Sequence, residues 1–172
     1  PTCERSKNPI EIIPMNEWYV RQIGMKEKIR AMARKLKFHP ETHRQLLLDW
    51  VDGISIDWPV SRRRFYGTEI PIWYCRDCKK VFVPPAGKYY RPWKDKAPFK
   101  KCTQCGCKEF IGDTRTFDTW VDSSVTPLFI SKYGKDKNFF SKTYPNSLRA
   151  QGKEIVRTWL YYTLLRCYQI TK

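Results

Sequence analysis

The chain has 172 residues, 41% hydrophobic and 15% aromatic, which is enough to bury one ordinary core and argues against full disorder. Lys and Arg number 33 against 17 Asp and Glu, and the formal charge of +16 favours polyanions, nucleic acid first, over small acidic metabolites. A basic surface that serves solubility alone is the alternative. No apolar run reaches the roughly 20 residues that span a bilayer, and no secretory signal is recognisable, so a cytoplasmic location is predicted.

The amino-terminal third predicts an extended start followed by two helices. Two prolines flank the apolar residues 10–13, which favours strand and turn over helix. Over residues 17–37 apolar side chains recur at three- and four-residue steps, which predicts a helix with a break at Gly24. A second helix is predicted to begin near Pro40, since proline suits a first helical turn, and to end at Gly53.

The middle of the chain predicts loops and one short strand. Residues 54–66 hold a proline and three consecutive arginines and follow neither period, which indicates an exposed or ligand-facing loop. Residues 70–75 predict a short strand. Residues 79–101 are rich in proline, lysine and aromatic side chains but poor in aliphatic ones, so we expect this stretch to need a bound metal to become ordered.

The last third completes an α/β pattern. It predicts a short strand at residues 110–111, a helix over 123–133, a strand at 147–151 and a helix from Gly152 onward. Because the chain opens with Pro1 in place of Met and stops in a helical pattern without a capping residue, we expect it to be part of a longer polypeptide.

Four of the seven cysteines form two C-x-x-C pairs, Cys75 with Cys78 and Cys102 with Cys105, separated by 23 residues. Thiolates at this spacing converge on one tetrahedral ion at about 2.3 Å, which predicts a zinc ribbon. Four thiolates leave no open coordination position, so the zinc is expected to be structural and not catalytic. Cys107 competes with Cys105 for the fourth position, and free or oxidised cysteines are the other alternative.

Four blocks of sequence carry a family resemblance. They are ERSKNPIEIIPMNEWYV at 4–20, DWPVSRRRFYGTEIPIWYC at 57–75, DTWVDSS at 118–124 and RAQGKEIVRTWLYYT at 149–163. In this order they closely resemble the valyl-tRNA synthetase family of the archaeal type, in the class I group that also includes the isoleucyl and leucyl enzymes. An isoleucyl enzyme is the nearest alternative, but it would show Gly-x-Asp-Gln followed by Arg-Gly-Trp.

The resemblance implies a Rossmann-type catalytic domain that is split by a large editing insertion. Residues 1–56 would be a mainly helical connective segment that returns from the insertion, and 57–74 would lead back to the catalytic domain. Residues 75–112 would form the inserted zinc ribbon, and 113–172 the second half of the Rossmann-type domain. The class I motifs His-x-Gly-His and Lys-Met-Ser-Lys-Ser do not occur in the chain. In the family they flank this region, so the parent polypeptide is expected to supply them, and the fragment alone should be inactive.

The resemblance also assigns roles in the parent reaction, in which valine is activated with ATP and Mg²⁺ to valyl-adenylate and transferred to tRNA(Val). Trp120 and Trp159 match the two tryptophans that wall the amino-acid pocket, and Ile155 would narrow this pocket further. Gly152 and Glu154 match a Gly-x-Asp motif that binds the ribose of ATP. The glutamate in place of aspartate departs from the family pattern and implies a different geometry.

Charged residues in the same blocks have a functional and a structural interpretation. Arg62, Arg63 and Arg64 match a stretch near the path of the tRNA acceptor end, where guanidinium groups hold phosphates; a solvated arginine cluster is the alternative. Asp118 and Asp122 either accept hydrogen bonds at a helix start or contact substrate. For the whole chain, the second account is a free-standing zinc-ribbon module that binds nucleic acid through its basic face. The order of the four blocks favours the enzyme fragment.

Overall fold

The structure, a computed structural model, describes residues 1–11 and 13–172, so Ile12 in the predicted extended stretch lies outside the described residues. The helices are α1 (Lys26–Lys35), α2 (His43–Gly53), α3 (Thr119–Ser124), α4 (Thr126–Ile130), α5 (Lys137–Thr143) and α6 (Tyr161–Thr171). The strands are β1 (Tyr19–Val20), β2 (Trp58–Pro59), β3 (Ser61–Arg62), β4 (Trp73–Cys75), β5 (Val81–Phe82), β6 (Phe110–Gly112) and β7 (Thr116–Phe117). In the described part, no helix is long and apolar enough to cross a membrane.

The main hydrophobic core lies between α1, α2 and α6. Ile29 and Ala33 are four residues apart on α1, and Leu47 and Val51 are four apart on α2, so each pair forms an apolar stripe on one face of its helix. All four side chains are fully buried together with Leu165 of α6. Burial of a side chain as large as leucine contributes roughly 1.5–3 kcal/mol, so packing, more than helix propensity, holds this layer together.

The segment from β2 to β3 joins this core to the amino end of α3. Trp58 of β2 stacks on Tyr162 of α6 with ring centroids 3.8 Å apart. Two residues later β3 pairs antiparallel with β7, placing Ser61 opposite Phe117. Since α3 begins directly after β7, these two short pairings determine where the first turn of α3 lies.

The strands β5, β4 and β6 form an antiparallel three-stranded sheet in that order, and we call residues 73–112 the cysteine sheet. Four rings, from Trp73, Phe82, Phe99 and Phe110, pack on each other with centroid separations from 5.1 to 6.1 Å. Such contacts contribute about 0.5–1.5 kcal/mol per pair beyond burial. The stretch poor in aliphatic residues therefore has an aromatic core of its own.

Most predicted elements are confirmed, but several differ from what the sequence indicated. The helix predicted over residues 17–37 begins only at Lys26, because Tyr19–Val20 pair with β2 and Ile23–Met25 form a 3₁₀ turn. The strand predicted at 147–151 is wrong, since these residues form neither strand nor helix. A strand needs a hydrogen-bonded neighbour, and none pairs with them in the described part of the chain.

The region around residues 119–143 is also more divided than predicted. The single helix predicted over 123–133 begins earlier, at Thr119, because the Asp118 side chain caps it. It then stops before α4, which has Pro127 in its first turn. The helix α5, capped by Asp136, was not predicted because its residues lack a clear apolar period.

A buried carboxylate joins three parts of the chain. Asp113 is 4% exposed and accepts hydrogen bonds from the Tyr74 hydroxyl at 2.7 Å and the Trp18 indole at 3.2 Å. Its main partner is Arg115, whose Nη2 lies 2.7 Å from the same oxygen and whose Nη1 donates to the carbonyl of Asn16. Burial raises the pKa of Asp113, but the hydrogen bonds from Arg115, Tyr74 and Trp18 outweigh it and lower the pKa to about 2.

Replacing Asp113 by Asn is expected to lower the free energy of unfolding at pH 7 by about 3 kcal/mol, because it removes the buried carboxylate that pairs with Arg115. The folded-state pKa lies below the ordinary carboxyl value of about 3.9, so the contribution is complete above that pH and is lost as the pH falls toward 2. The difference between the two proteins should shrink by about 1 kcal/mol at pH 3. Urea unfolding at both pH values measures it.

The control is Asp49→Asn, because Asp49 is an exposed carboxylate that accepts a hydrogen bond from Gln45 on α2. Its stability should stay within about 0.5 kcal/mol of wild type at either pH. Equal stability of the two variants at pH 7 would contradict the role assigned to Asp113.

Candidate functional site

The two tryptophans predicted to form one pocket lie on neighbouring helical segments. Trp120 is half-buried in the first turn of α3, and Trp159 is half-buried in a π-helical turn, Val156–Leu160, that leads into α6. The Trp159 indole N–H donates to the Ser123 carbonyl at the other end of α3, at 3.0 Å. This bond ties the π turn to α3. Single π turns are rare in helices and occur frequently at functional sites.

The predicted nucleotide residues immediately precede this π turn. Gly152 is the N-cap of a 3₁₀ turn, Lys153–Ile155, and the amide of Ile155 donates to the Gly152 carbonyl at 3.3 Å. The exposed Glu154 side chain folds back over Gly152, so that a Cβ at this position would overlap both carboxylate oxygens. The segment 152–159 thus brings Gly152, Glu154, Ile155 and Trp159 together within about two helical turns.

Arg149 is a residue that sequence reasoning missed. Its guanidinium carbon lies 4.0 Å from the centroid of the Trp159 ring, a cation–π contact. Burial lowers the pKa of Arg149 from its ordinary value, and its Nη1 has no hydrogen-bond partner among the described residues. A buried, unpaired N–H is costly, so this guanidinium is an available donor beside the tryptophan wall. The sequence signal that could have identified Arg149 is its position in the RAQGKE block.

Asp118 acts as a structural residue in this arrangement. One of its oxygens accepts the Trp120 amide at 2.8 Å as the N-cap of α3, and the other pairs with Arg62. A carboxylate at this position also interacts favourably with the helix dipole. Asp122 accepts a hydrogen bond from the Thr68 hydroxyl at 2.9 Å, which fixes α3 to the loop after β3.

The three arginines predicted to bind tRNA do not form one cluster. Arg62 is held by Asp118 and by the carbonyls of Pro59 and Ser61, at 2.8 and 2.9 Å. Arg63 pairs with Glu17. Arg64 is exposed and lines a surface cavity. Within the described residues, Arg64 alone of the three has no carboxylate in ion-pair contact.

The four predicted zinc ligands converge at one corner of the cysteine sheet. The sulfurs of Cys75, Cys78, Cys102 and Cys105 all lie within 4.8 Å of one another. The Sγ atoms of Cys75 and Cys105 are 3.4 Å apart, and those of Cys78 and Cys102 are 3.5 Å apart. Tetrahedral coordination with bonds of about 2.3 Å sets sulfurs about 3.8 Å apart, so the cluster has the size that zinc requires.

Backbone amides surround these sulfurs in two similar turns. The sulfur of Cys102 accepts the amides of Gln104 and Cys105, and the sulfur of Cys75 accepts those of residues 77 and 78. Burial raises the pKa of Cys102, but the two amides outweigh it and lower the pKa to about 6. The amide of residue 107 acts to lower the pKa of Cys105, but neighbouring sulfurs and burial raise it to about 12. A divalent cation would let all four ionise together.

Cys107 lies beside the cluster without joining the group of four. Its sulfur accepts the Glu109 amide at 3.3 Å, and its carbonyl accepts the Cys102 amide at 2.7 Å. The positive φ of Gly106, 77°, makes the turn between Cys105 and Cys107 and points the two sulfurs differently. The geometry therefore favours Cys105 over Cys107 as the fourth ligand.

Comparison with known proteins shows the family to which the chain belongs. The sequence model of the class I tRNA synthetases (I, L, M and V) matches residues 7–172, and the chain belongs to this family. Three relatives named valine--tRNA ligase come from Aeropyrum pernix, Pyrobaculum aerophilum and Nanoarchaeum equitans. They are 47%, 49% and 48% identical to the chain over 99%, 98% and 99% of its length, and over 21%, 22% and 23% of their own. The predicted resemblance to the valyl branch is confirmed, and the chain spans about a fifth of these relatives.

The cysteine geometry leads to a test by zinc content. The wild-type chain should bind one zinc ion. Cys105→Ser should weaken zinc binding more than about 100-fold, because the loss of a residue that only hydrogen-bonds to a metal ligand already lowers metal affinity by up to about that factor. Mass spectrometry of the metal and competition with a chelator measure both values.

Cys107→Ser is the matched control and should retain one zinc at nearly wild-type affinity, because its sulfur lies outside the group of four. If Cys107→Ser lost the metal and Cys105→Ser kept it, the fourth ligand would be Cys107.

Proposed function

We propose that the chain is an internal part of a valine--tRNA ligase, which activates valine with ATP to valyl-adenylate and transfers it to tRNA(Val). The observation that carries this proposal is the hydrogen bond from Trp159, in the segment 152–159, to Ser123 of α3, the helix that also carries Trp120. In this proposal residues 113–172 are the second half of a Rossmann-type domain, and residues 57–74 lead back to it. Residues 1–56 connect it to the editing insertion, and 75–112 form a zinc ribbon.

Trp120 and Trp159 act as a rigid wall of the valine pocket. The Asp118 cap fixes the first turn of α3. The Ser123 carbonyl accepts the Trp159 indole N–H, and the Arg149 guanidinium lies over the face of the same ring. Rigidity matters because aliphatic amino acids differ by single methylenes, each worth only about 1–3 kcal/mol in selection. A wall that cannot move excludes the larger side chain by volume.

Gly152 and Glu154 bind the ribose of ATP. Glycine lets the nucleotide approach the backbone, and the Glu154 carboxylate, which already lies over Gly152, accepts hydrogen bonds from the ribose hydroxyls. Amino-acid activation depends mainly on positioning and on stabilising charge at the phosphate. Mg²⁺, when bound to ATP, supplies charge neutralisation at the phosphates, and other parts of the parent polypeptide complete that site.

The four cysteines hold a structural zinc ion. The sulfurs fit tetrahedral coordination, and no ligand position is left open for substrate. Tyr74 bonds to Asp113 and immediately precedes Cys75, so a metal at the cluster stiffens the same strand that meets the rest of the domain. The ion therefore supports the position of the cysteine sheet.

The other account, a free-standing zinc ribbon that binds nucleic acid, leaves most of the chain unexplained. The family match extends over residues 7–172, well beyond the cysteine sheet. The relatives at 47% to 49% identity are all valine--tRNA ligases, which supports valine over isoleucine. The first experiment is valine-dependent ATP–pyrophosphate exchange by the full-length parent; the 172-residue chain alone is expected to give no exchange.

Replacing Trp159 by Ala in the full-length parent should lower kcat/KM for valine in this exchange by about 100-fold, because a wall of the pocket is lost. The ratio of isoleucine to valine activation should rise, since the enlarged pocket no longer excludes the longer side chain. A purely structural role for Trp159 would lower both activities and leave their ratio unchanged.

The control is Phe129→Ala, which removes a 75% exposed ring on α4 and should leave the exchange rate at the wild-type level. If the full-length Trp159→Ala protein exchanged at the wild-type rate, Trp159 would not be part of the valine pocket.

Glu154 offers a test with its own conservative control. Glu154→Ala in the parent should raise KM for ATP by about 10- to 100-fold, since it removes charge-assisted hydrogen bonds worth about 1.5–3 kcal/mol. Glu154→Asp restores the residue expected of the family and should stay within a few-fold of wild type. The two variants behaving alike would contradict a role as hydrogen-bond acceptor for ATP.

A further inference from the structure

The surface cavity that Arg64 lines lies apart from both the tryptophan wall and the cysteine cluster. It measures about 590 Å³ and opens between the loop 64–67 and the part of the cysteine sheet at 89–93. Thr114 and Thr116 line it between these two segments. Its size falls in the range of small-ligand sites, about 300–1,000 Å³.

Exposed aromatic rings stand on both sides of this cavity. Phe65 and Tyr66 are 93% and 87% exposed on one side, and Tyr89 and Trp93 are 63% and 57% exposed on the other. Four large rings exposed around one concave surface indicate a binding site. Aromatic rings interleaved with arginines are the means by which proteins stack the bases of single-stranded nucleic acid.

The side formed by the cysteine sheet is held in place before any ligand arrives. Pro92 is buried, and its carbonyl packs so closely on Gly112 of β6 that a Cβ there would overlap it. The Tyr89 hydroxyl and the Trp93 indole N–H both donate to Glu69, the latter at 3.3 Å. These contacts fix the polar edges of the two rings, while more than half of each residue stays exposed. Binding a ligand therefore costs these side chains little conformational entropy.

Positive side chains lie at the rim of the cavity, and a negative side chain lies in its interior. Arg64 and Arg91 are exposed cations on opposite sides, and the Arg91 guanidinium lies 5.7 Å from the Tyr89 ring centroid. Glu69 is the one acid among the described lining residues. Burial raises the pKa of Glu69, but the Tyr89 and Trp93 donors outweigh it, and the pKa is lowered overall, so a carboxylate faces the cavity. It has about four acceptor positions, of which the two rings use two.

We propose that this cavity binds one unpaired nucleotide of RNA, cytosine or adenine, whose base carries an amino group at C4 or C6, where uracil and guanine carry a carbonyl oxygen. The base stacks on Trp93 and its amino group donates to Glu69, while Arg64 and Arg91 hold the flanking phosphates. Uracil presents a carbonyl oxygen at the position of that amino group, and the carboxylate repels it. The inference rests on the proposed function, in which tRNA is the partner, and it specifies which part of an RNA this surface recognises.

The test compares two pyrimidines, because cytosine and uracil have similar rings and differ at the edge that meets Glu69. Fluorescein-labelled eight-nucleotide RNAs, oligo(C) and oligo(U), are titrated with the zinc-loaded 172-residue chain at fixed salt, and anisotropy gives each Kd. Oligo(C) should bind about 10-fold more tightly, within the range that one good base contact provides. Glu69→Gln should bring the ratio close to one, because the amide can also donate to the uracil carbonyl.

Stacking is tested separately. Trp93→Ala should weaken both RNAs by about 5-fold or more, whereas Trp93→Phe, which retains a ring, should preserve most of the affinity. Phe129→Ala, which removes an exposed ring with a lysine over it on α4, is the matched control and should change neither Kd. Near-ultraviolet circular dichroism and zinc content verify that each variant is folded.

Equal binding of oligo(C) and oligo(U) by wild type would overturn the inference. So would an unchanged ratio in Glu69→Gln, or folded Trp93→Ala and Phe129→Ala proteins with the same affinity, since binding would then be diffuse attraction to a basic surface. Valine-dependent exchange by the parent needs no RNA and separates the two proposals. Intact exchange without base preference would overturn this inference alone, and base preference without exchange would overturn the proposed ligase function alone.

Discussion

The ion pair between the buried Asp113 carboxylate and Arg115 joins the cysteine sheet, the amino-terminal segment and the strand that leads to α3. Through Tyr74 it holds the strand that continues into Cys75, and through Trp18 it holds the amino-terminal segment. Arg115 immediately precedes β7, which leads to the capped start of α3 and the tryptophan wall. Buried charges tolerate few arrangements because each must keep its partners, so this pair restricts geometry more than it adds stability.

Because of that constraint, the orientation of the cysteine sheet determines more than metal binding. The sheet carries Trp93 and its neighbours on one side, and the loop after β3 carries Arg64 on the other, so the cavity exists only while the two segments keep their distance. Carboxylates within the chain also give the three consecutive arginines different environments. Arg62 and Arg63 are neutralised by partners within the chain, whereas Arg64 has no carboxylate in ion-pair contact among the described residues.

Local chemistry explains which features could be predicted from sequence. Two cysteines three positions apart on a turn must point the same way, so the pairs indicated a metal cluster before any fold was known. Apolar periods of three and four residues likewise predicted the helices α1, α2 and α6, whose cores are buried as expected. The strand at 147–151 failed for the opposite reason, since a strand depends on a partner that its own residues do not specify.

The sequence by itself determined the family, the four cysteines that cluster and the order of the motif blocks, because these depend on residue identity and short spacing. Only the tertiary structure decided that Arg149 lies on Trp159, that Asp118 serves as a cap and partner of Arg62, and that Glu69 meets Trp93. The pairings of Arg149 with Trp159, Asp118 with Arg62 and Glu69 with Trp93 join residues from 10 to 56 positions apart along the chain. Side-chain pairing over such separations depends on how helices and strands pack against each other. Amino-acid composition and local hydrophobic periodicity do not specify it.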